Sequence, residues 1–274
     1  MATPRNSGRS IFITGGASGI GRATALHFAA RGWFVGVADV NEAGMAETLS
    51  LISGEAKWAG RLDVRDRAAW DGALADFAKA AGGRIDVMLN NAGIGTGGPL
   101  AELGKDEIDA CLDINLRGVL YGAQAVYPYL KATAPGSALI NTASAAGITG
   151  GSGMSVYSAT KFAVRGIAES LDAEWAPDGI TVASICPSFI DTPLLDGTGN
   201  RNTNENIRTR VTAAGLEITP VEEVAEAVWN AVHGDELHYL VGKTARSLAF
   251  AKRWMPGRVR KQQRAAGRQG LLGR

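Results

Sequence analysis

The sequence predicts an α/β fold in which a doubly wound, seven-stranded parallel sheet is covered by helices on both faces. Two observations carry this prediction: short apolar, β-rich runs recur along the chain, and segments with a helical pattern lie between them. The length of 274 residues is a third, because a single α/β unit of this size is common. The 36 glycines suit the many tight turns that such a fold requires.

The predicted strands and helices alternate along the chain. We expect strands at residues 10–14, 33–38, 56–63, 85–90, 137–142, 180–185 and 237–241. We expect helices at residues 19–30, 42–53, 67–80, 106–129, 155–175 and 221–233, several of them bounded by Gly or Pro. The long irregular stretch 191–216 is rich in Asn, Thr, Gly and Arg, and we expect it to be a mobile lid.

Residues 1–242 are expected to form one domain that includes this lid, and residues 243–274 a basic C-terminal extension. Hydrophobic residues make up 46% and charged residues 20% of the chain, which argues against a disordered chain or a disulfide scaffold. Cys111 and Cys186 lie in apolar stretches, so we expect buried free thiols and a cytoplasmic protein. No signal peptide or spanning helix is expected, and the three histidines are too scattered for a metal site.

The net charge of +1 hides a strong asymmetry. All 27 acidic residues precede residue 237, so residues 1–242, with 18 basic residues, carry a net charge of −9, whereas the extension carries 10 basic residues. Its interleaved apolar and basic residues predict a short amphipathic helix that ends at Pro256. Docking on the acidic body or on a partner subunit is the favoured interpretation, with a solvated end and a membrane surface as alternatives. Nucleic-acid binding is not expected, because no base-stacking platform accompanies the charge.

A glycine-rich turn joins the first strand to the first helix. Residues 14–21 contain the spacing Gly-x-x-x-Gly-x-Gly, which lets the chain turn sharply and points backbone N–H groups and the helix dipole at a bound phosphate. This is not the standard Gly-x-Gly-x-x-Gly fingerprint, so an ordinary tight turn is the alternative. The candidate phosphate-binding residues are Gly15, Ser18, Gly19, Ile20 and Gly21.

Asp39 closes the second predicted strand, where an acidic side chain can accept hydrogen bonds from both hydroxyls of an adenosine ribose. It would repel the 2′-phosphate of NADP, and positions 15–20 and 40 hold no Arg or Lys that could neutralise that phosphate, so NAD is favoured. Arg22 is the one basic residue nearby that argues the other way. A role for Asp39 as a helix N-cap is compatible with the ribose contact.

Two further turns follow the third and fourth predicted strands. Because ligands of open α/β sheets bind at the carboxyl ends of the strands, the residues at these turns are candidates for the same site. Each group could also be an ordinary turn. The candidates are Asp63 and Val64, with Asp63 near the adenine, and then Asn90, Ala92 and Gly93.

Tyr157 and Lys161 lie four residues apart on a predicted helix, so their side chains share one face. A free tyrosine has a pKa of about 10, and an adjacent ammonium group would help it to act as a base. Ser144 ends the fifth strand, where its hydroxyl can bond to the reacting oxygen. Asn115 is unfavourable in the middle of a long helix, which indicates either a function for its amide or a helix irregularity.

Taken together, these residues resemble the short-chain dehydrogenase/reductase family over about residues 9–242. The resemblance implies a Rossmann-like fold and a catalytic tetrad of Asn115, Ser144, Tyr157 and Lys161. In that scheme Tyr157 exchanges a proton with the substrate oxygen, which Ser144 orients. Lys161 lowers the tyrosine pKa and holds the nicotinamide ribose, and Asn115 supports a water relay.

The chain departs from the family pattern after the sixth strand, where Ser188 replaces the usual glycine after Pro187. Serine lacks the backbone freedom of glycine, which puts the cofactor geometry at this turn in doubt. The resemblance still implies that Pro187, Ile190 and Thr192 contact the nicotinamide. It also implies a homodimer or homotetramer that pairs through the helices carrying Asn115 and Tyr157.

The implied function is hydride transfer between NAD(H) and a secondary alcohol or ketone. Residues 94–99 and 145–154, Phe189 and the lid are mainly small or apolar, which predicts a neutral, hydrophobic substrate. The counter-argument is the set of lid arginines, Arg201, Arg208 and Arg210. Two alternatives are an NADPH-dependent carbonyl reductase, which Asp39 opposes, and a non-catalytic nucleotide-binding regulatory protein, which the tetrad opposes.

Overall fold

The computed structural model describes residues 8–198 and 203–269, with seven parallel strands in one sheet. The strands are β1 (Ser10–Thr14), β2 (Phe34–Asp39), β3 (Lys57–Arg61), β4 (Val87–Asn90), β5 (Ala138–Thr142), β6 (Thr181–Pro187) and β7 (His238–Val241). Their order across the sheet is β3-β2-β1-β4-β5-β6-β7. The predicted parallel sheet is confirmed, with strand ends that differ from the prediction by at most two residues.

Helices cover both faces of the sheet. The helices are α1 (Gly19–Ala29), α2 (Glu42–Ser50), α3 (Arg67–Ala80), α4 (Lys105–Leu112), α5 (Gly118–Thr133), α6 (Ser155–Trp175), α7 (Ile207–Ala213), α8 (Val221–His233), α9 (Lys243–Trp254) and α10 (Pro256–Gln269). On one face, Ile11 and Ile13 of β1 pack toward α1 and α8. On the other face, Phe12 packs toward α3, and its ring centroid lies 5.2 Å from that of Phe77. This alternation is what a strand buried on both sides requires.

The predicted helix over residues 106–129 is interrupted by a π-helical turn, Asp113–Arg117, between α4 and α5. Such single wide turns occur mostly at functional sites, and this one contains Asn115. The helix also continues through Pro128 to Thr133. Val126 and Leu130 on either side of this proline are fully buried, so tertiary packing holds a segment that proline disfavours.

The stretch 191–216 contains two ordered elements that the sequence did not predict. A 3₁₀ turn, Pro193–Asp196, is followed by α7, and Arg208 of α7 forms ion pairs of 2.7 Å with Asp191 and 2.9 Å with Asp196. Arg201 lies outside the described residues. These long-range ion pairs are invisible to local pattern reasoning, and movement of this segment as a lid stays a prediction.

The extension forms α9 and α10. The predicted amphipathic helix ending at Pro256 is found as α9, whereas α10 was not predicted. Pro256 is the first residue of α10, a position where the missing N–H of proline costs nothing, so the same residue ends one helix and begins the next. No helix in the described ranges is both long and apolar enough to cross a bilayer.

Candidate active site

A cleft of about 570 Å³ runs along the carboxyl edge of the sheet and includes the point between β1 and β4 where the strand order reverses. Of the predicted site residues, those that line it are Gly15, Ser18, Gly19, Ile20, Asp39, Asp63, Val64, Ala92, Gly93, Ser144, Tyr157, Lys161, Pro187, Ile190 and Thr192. The other three, Gly21, Asn90 and Asn115, lie behind its wall. A single cavity therefore joins the candidate nucleotide site to the candidate catalytic residues.

The glycine turn between β1 and α1 has room for a phosphate. Gly15 and Gly19 have φ angles of +68° and +50°, which favour glycine. A Cβ at Gly21 would lie 2.1 Å from the carbonyl oxygen of Gly15, so Gly21 allows α1 to start against the turn. The first turn of α1 has no acidic residue, and the side chain of Ser18 does not cap it. Its N–H groups are therefore available to an anion, which fits a dinucleotide pyrophosphate.

Asp39 stands at the end of β2 on the cleft wall. Its carboxylate accepts hydrogen bonds from the backbone N–H groups of Ala17, at 3.1 Å, and Asn41, at 3.0 Å. The N-cap of α2 is Asn41, whose side chain accepts from the N–H of Gly44. The predicted capping role of Asp39 therefore belongs to Asn41, while Asp39 lines the cleft and its contact with a ribose stays a prediction.

Arg22 does not contribute a positive charge to this part of the cleft. Its guanidinium forms two hydrogen bonds with the carboxylate of Glu47, at 2.8 and 2.7 Å, and a third with the hydroxyl of Thr48. Arg22 is not among the residues that line the cleft. The one basic residue that argued for NADP is thus neutralised by an acidic partner 25 residues away in the sequence.

Arg65 is a charged lining residue that sequence reasoning missed. Its guanidinium binds the Asp63 carboxylate at 2.6 and 2.9 Å, and this hydrogen bonding holds the pKa of Asp63 below its ordinary value. Asp63 therefore remains charged and already paired. A contact between Asp63 and an adenine would have to share the carboxylate with Arg65, whereas Val64 presents an apolar surface to the same end of the cleft.

Two asparagines, Asn90 and Asn91, stand at the end of β4, and one side chain lies in the core whereas the other lies in the cleft. The Asn90 side chain points into the core and donates to the Asn141 side chain at 2.9 Å, so it does not line the cleft. Asn91 does line it, donating to the carbonyl oxygen of Thr14 at 3.0 Å and accepting from the Thr142 hydroxyl at 3.3 Å. Asn91 thereby ties together the ends of three strands, β1, β4 and β5. Adjacent residues point opposite ways, so Asn91 is the member of the pair that lines the cleft, and contact of Asn90 with a cofactor stays a prediction.

Asn115 is fully buried within the π turn. Its amide oxygen accepts from the N–H of Ile94 and its amide nitrogen donates to the carbonyl oxygen of Ile94, both at 2.8 Å. Both interpretations of this residue therefore hold, because the helix is irregular and the amide has a specific partner. The consequence is that the loop after β4, which forms one wall of the cleft, is fixed to the long helix.

Tyr157 and Ser144 meet in the cleft. Ser144 follows β5, and its hydroxyl oxygen accepts from the N–H of Ala146 at 3.1 Å, which orients the side chain. Burial raises the pKa of Tyr157 above its ordinary value, while a hydrogen bond with Ser144 acts in the opposite direction. Tyr157 therefore holds its proton at neutral pH, next to a hydroxyl that can bind the same substrate oxygen.

Lys161 is 5% exposed, and its ammonium group donates to the carbonyl oxygen of Thr142 at 2.8 Å. It lies 5.7 Å from the centroid of the Tyr157 ring. Burial lowers the pKa of Lys161 to about 8. Loss of water around Tyr157 outweighs its polar contacts and raises its pKa, and the lowering of the tyrosine pKa by Lys161 stays a prediction. The pair can nevertheless deliver a proton, since the ammonium charge would balance the phenolate that forms.

Pro187, the last residue of β6, and the residues that follow it form another wall of the cleft. Pro187, Ile190 and Thr192 line it, and a Cβ at Gly19 would lie 3.2 Å from the Thr192 methyl group, so this segment reaches the glycine turn. No non-glycine residue in the described ranges has a positive φ. Ser188 therefore sits in ordinary backbone geometry, so this turn does not require a glycine, and the effect of Ser188 on a bound cofactor stays a prediction.

Comparison with known proteins agrees with this geometry. The family described as short chain dehydrogenase matches residues 9–206. The chain belongs to the short-chain dehydrogenase family. It is therefore an oxidoreductase, and the predicted family and enzyme class are confirmed.

Relatives of this short-chain dehydrogenase cover most of its length. L-2,3-butanediol dehydrogenase of Corynebacterium glutamicum is 38% identical over 67% of this chain and 72% of its own. A protein of a Sphingomonas strain named 2-dehydro-3-deoxy-L-rhamnonate dehydrogenase (NAD(+)) is 37% identical over 70% of this chain and 76% of its own. The crystal structure of levodione reductase superimposes with a TM-score of 0.78 at 28% identity, covering 89% of this chain and 99% of the other.

Proposed function

We propose that this short-chain dehydrogenase transfers hydride between NAD(H) and a neutral, hydrophobic secondary alcohol or ketone. The single observation that carries the proposal is the continuous cleft that contains Asp39 at one end and Ser144, Tyr157 and Lys161 at the other. When bound, the nicotinamide supplies the hydride acceptor or donor. The name of the Sphingomonas relative, which specifies NAD(+), supports the choice of cofactor.

The side chains of this chain would then divide the proton chemistry among them. Tyr157 gives its proton to the substrate oxygen during reduction, and during oxidation the deprotonated Tyr157 takes the proton of the alcohol. Ser144 binds the same oxygen and orients it, while the Lys161 ammonium compensates the charge left on the tyrosine. Asn115 acts on this site through Ile94, whose backbone it holds by two hydrogen bonds.

The walls of the cleft favour an uncharged substrate. They include Ile94, Met154, Phe189, Leu194 and Ile207, all of them apolar. The charge of the lid cation Arg208 is balanced by Asp191 and Asp196. Arg210 is the counter-argument, because it lines the cleft and among the described residues has no carboxylate partner. Its guanidinium donates instead to the carbonyl oxygen of Thr198.

A matched substrate panel tests this proposal. Nicotinamide absorbance would be followed with NAD(H) and pairs of ketones of equal size that differ only in whether the chain end is a methyl group or a carboxylate. We expect kcat/KM to be at least about tenfold higher for the neutral member, equivalent to about 1.4 kcal/mol. If the chain preferred the carboxylate-bearing ketone and Arg210→Met abolished that preference, the proposed neutral substrate would be wrong and an acidic substrate would take its place. No turnover of any member would count against the proposed function itself.

The pH dependence of reduction should follow Lys161. Because burial lowers its pKa to about 8, the ammonium charge is present below that pH and is lost above it. Once the charge is lost, a phenolate on Tyr157 is no longer balanced. We therefore expect kcat/KM for ketone reduction with NADH to be level near neutrality and to fall about tenfold per pH unit above about pH 8. A profile that stays level to about pH 10 would contradict this assignment.

We also propose that α5 and α6 form the contact between subunits of a homodimer or homotetramer. Leu120 of α5 and Phe162 of α6 are large apolar side chains left exposed on these helices, which supports the proposal. Light scattering that gave the mass of a monomer at micromolar concentration would contradict it.

The free, buried Cys111 and Cys186 suit the reducing cytoplasm that we propose as the location of this protein.

A further inference from the structure

The C-terminal hairpin, defined as α9 and α10 (residues 243–269), has an inner side that packs on the body. Ala245 is fully buried and Val259 nearly so, and α9 lies against β7 and the 3₁₀ turn Ala145–Gly147. Further along, a Cβ at Gly267 would lie 3.3 Å from the hydroxyl of Ser152. α9 therefore attaches the hairpin to the body, and Gly267 lies next to Ser152 in the segment that leads into the catalytic helix.

The outer side of the hairpin exposes two aromatic side chains. Phe250 and Trp254, one helical turn apart on α9, are 60% and 65% exposed, more than any other large hydrophobic residue in the described ranges. A groove between the two helices lies beside them and is floored partly by Ala251 and Met255. Two neighbouring exposed aromatic rings beside a groove form an apolar patch of the kind found at binding surfaces.

Basic residues surround these aromatic side chains, and the body does not neutralise them. No acidic residue follows Glu236 in the sequence. Within the described part of the chain, Lys243 is the only hairpin residue with a carboxylate in ion-pair range, that of Glu217 at 3.9 Å. The hairpin cations with no such partner there are Arg246, Lys252, Arg253, Arg258, Arg260, Lys261 and Arg264. The hairpin thus lies against the body, as the favoured interpretation from sequence expects, but the acidic body leaves most of its charge unpaired.

The charge distribution narrows the choice of partner. A symmetric contact between two hairpins would bring identical cations face to face, which is electrostatically unfavourable. A hairpin bound to the acidic body of another copy would pair these cations with carboxylates, and the oligomeric state in lipid-free buffer distinguishes that contact from a membrane contact. An anionic lipid surface suits both the unpaired cations and the exposed aromatic rings of the hairpin. Its headgroups attract the cations, and its boundary accepts exposed Trp and Phe.

We propose that the C-terminal hairpin is a docking surface for anionic membranes. Phe250 and Trp254 enter the headgroup boundary, and the surrounding Lys and Arg side chains contact lipid headgroups. Residues 1–242 carry a net charge of −9 and are repelled by the same surface, so the protein lies on the membrane with its hairpin facing the lipid. The neighbouring segment contributes Gly153 and Met154 to the cleft, so docking brings the cleft close to the bilayer. Attachment does not depend on the proposed substrate.

The test is co-sedimentation of the full chain with vesicles of phosphatidylcholine alone or mixed with phosphatidylglycerol. We expect binding to the mixed vesicles, at least about tenfold weaker binding to the neutral ones, and a steep loss as salt is raised. The double variant Phe250→Ala/Trp254→Ala should bind the mixed vesicles at least about tenfold more weakly. The matched control is Leu51→Ala/Leu100→Ala, which removes two leucines that are 55% and 56% exposed elsewhere on the surface.

Circular dichroism and melting temperature would show that both double variants fold like the parent chain. Equal binding to neutral and anionic vesicles, binding to neither, or parental binding by Phe250→Ala/Trp254→Ala would each overturn the proposal. An oligomer in lipid-free buffer that dissociates only in this variant would overturn it in favour of an interface between copies. Tighter binding to duplex DNA than to anionic vesicles at the same salt concentration would also overturn it.

Discussion

Tyr157→Phe is expected to lower kcat by about two to four orders of magnitude, the usual contribution of a positioned proton-transfer group. The substitution removes only the hydroxyl, which has no role in the hydrophobic core and stands beside Ser144 in the cleft. The dissociation constant of NADH should change little, because the ring and Lys161 remain. Steady-state assays in both directions, with NADH binding followed by fluorescence, would measure the two effects separately.

Tyr121→Phe is the matched control for this experiment. Tyr121 lies on α5 and does not line the cleft, so its loss of a hydroxyl should leave kcat unchanged. The double variant Ser144→Ala/Tyr157→Phe should be little slower than Tyr157→Phe alone, since groups that act as a unit are not additive. Full activity in Tyr157→Phe would remove Tyr157 from the proton transfer and, with it, the proposed mechanism.

Asp39→Asn is expected to weaken NADH binding by about 10- to 100-fold. A hydrogen bond to a charged group contributes about 1.5–3 kcal/mol, and the carboxamide cannot accept from both ribose hydroxyls as the carboxylate does. The same change removes the charge that repels a 2′-phosphate, so the preference for NADH over NADPH should fall by at least as large a factor. Fluorescence titrations of both cofactors against the parent and the variant would give this ratio.

Asp66→Asn controls for the loss of a carboxylate that binds backbone N–H groups. Asp66 caps α3 through the N–H groups of Ala68 and Ala69 and does not line the cleft. Both variants should lose a similar amount of stability, measured as melting temperature, while only Asp39→Asn changes cofactor preference. Tighter binding of NADPH than of NADH by the parent chain would overturn the assignment of NAD.

The glycine turn shows what a local sequence pattern predicts and what it leaves to the folded structure. Its position between a buried strand and a helix predicted a phosphate site, and the positive φ angles of Gly15 and Gly19 agree with it. Gly21 was grouped with the binding residues; in the fold it lets α1 approach the Gly15 carbonyl oxygen, and its contact with a cofactor stays a prediction. The spacing of glycines predicts a turn, whereas the atom that each glycine makes room for depends on the folded geometry.

Side-chain direction was the next thing that the sequence left open. Asn90 and Asn91 are neighbours at the end of β4, and only the pairing of β4 with β1 and β5 decides which of them faces the cleft. Arg22 was a plausible phosphate partner until Glu47, on another helix, was found to bind it. Arg65 lines the cleft but is occupied by Asp63. For Asn91 and Arg22 the deciding partners lie in distant parts of the chain, whereas Arg65 binds a carboxylate only two residues away.

By itself, the sequence determined the parallel sheet, the order of its elements, the family and the identity of Asn115, Ser144, Tyr157 and Lys161 as the candidate catalytic set. The sheet and the order of its elements follow from periodicity and turn residues, which are properties of short stretches of chain, whereas the family and the catalytic set follow from the resemblance that the motifs carry as a set. Only the tertiary structure decided which charges are paired, how burial moves the pKa values of Tyr157 and Lys161, and that the C-terminal hairpin leaves Phe250 and Trp254 in water. Pairing, burial and exposure depend on contacts between residues far apart in the chain, and those contacts exist only after folding.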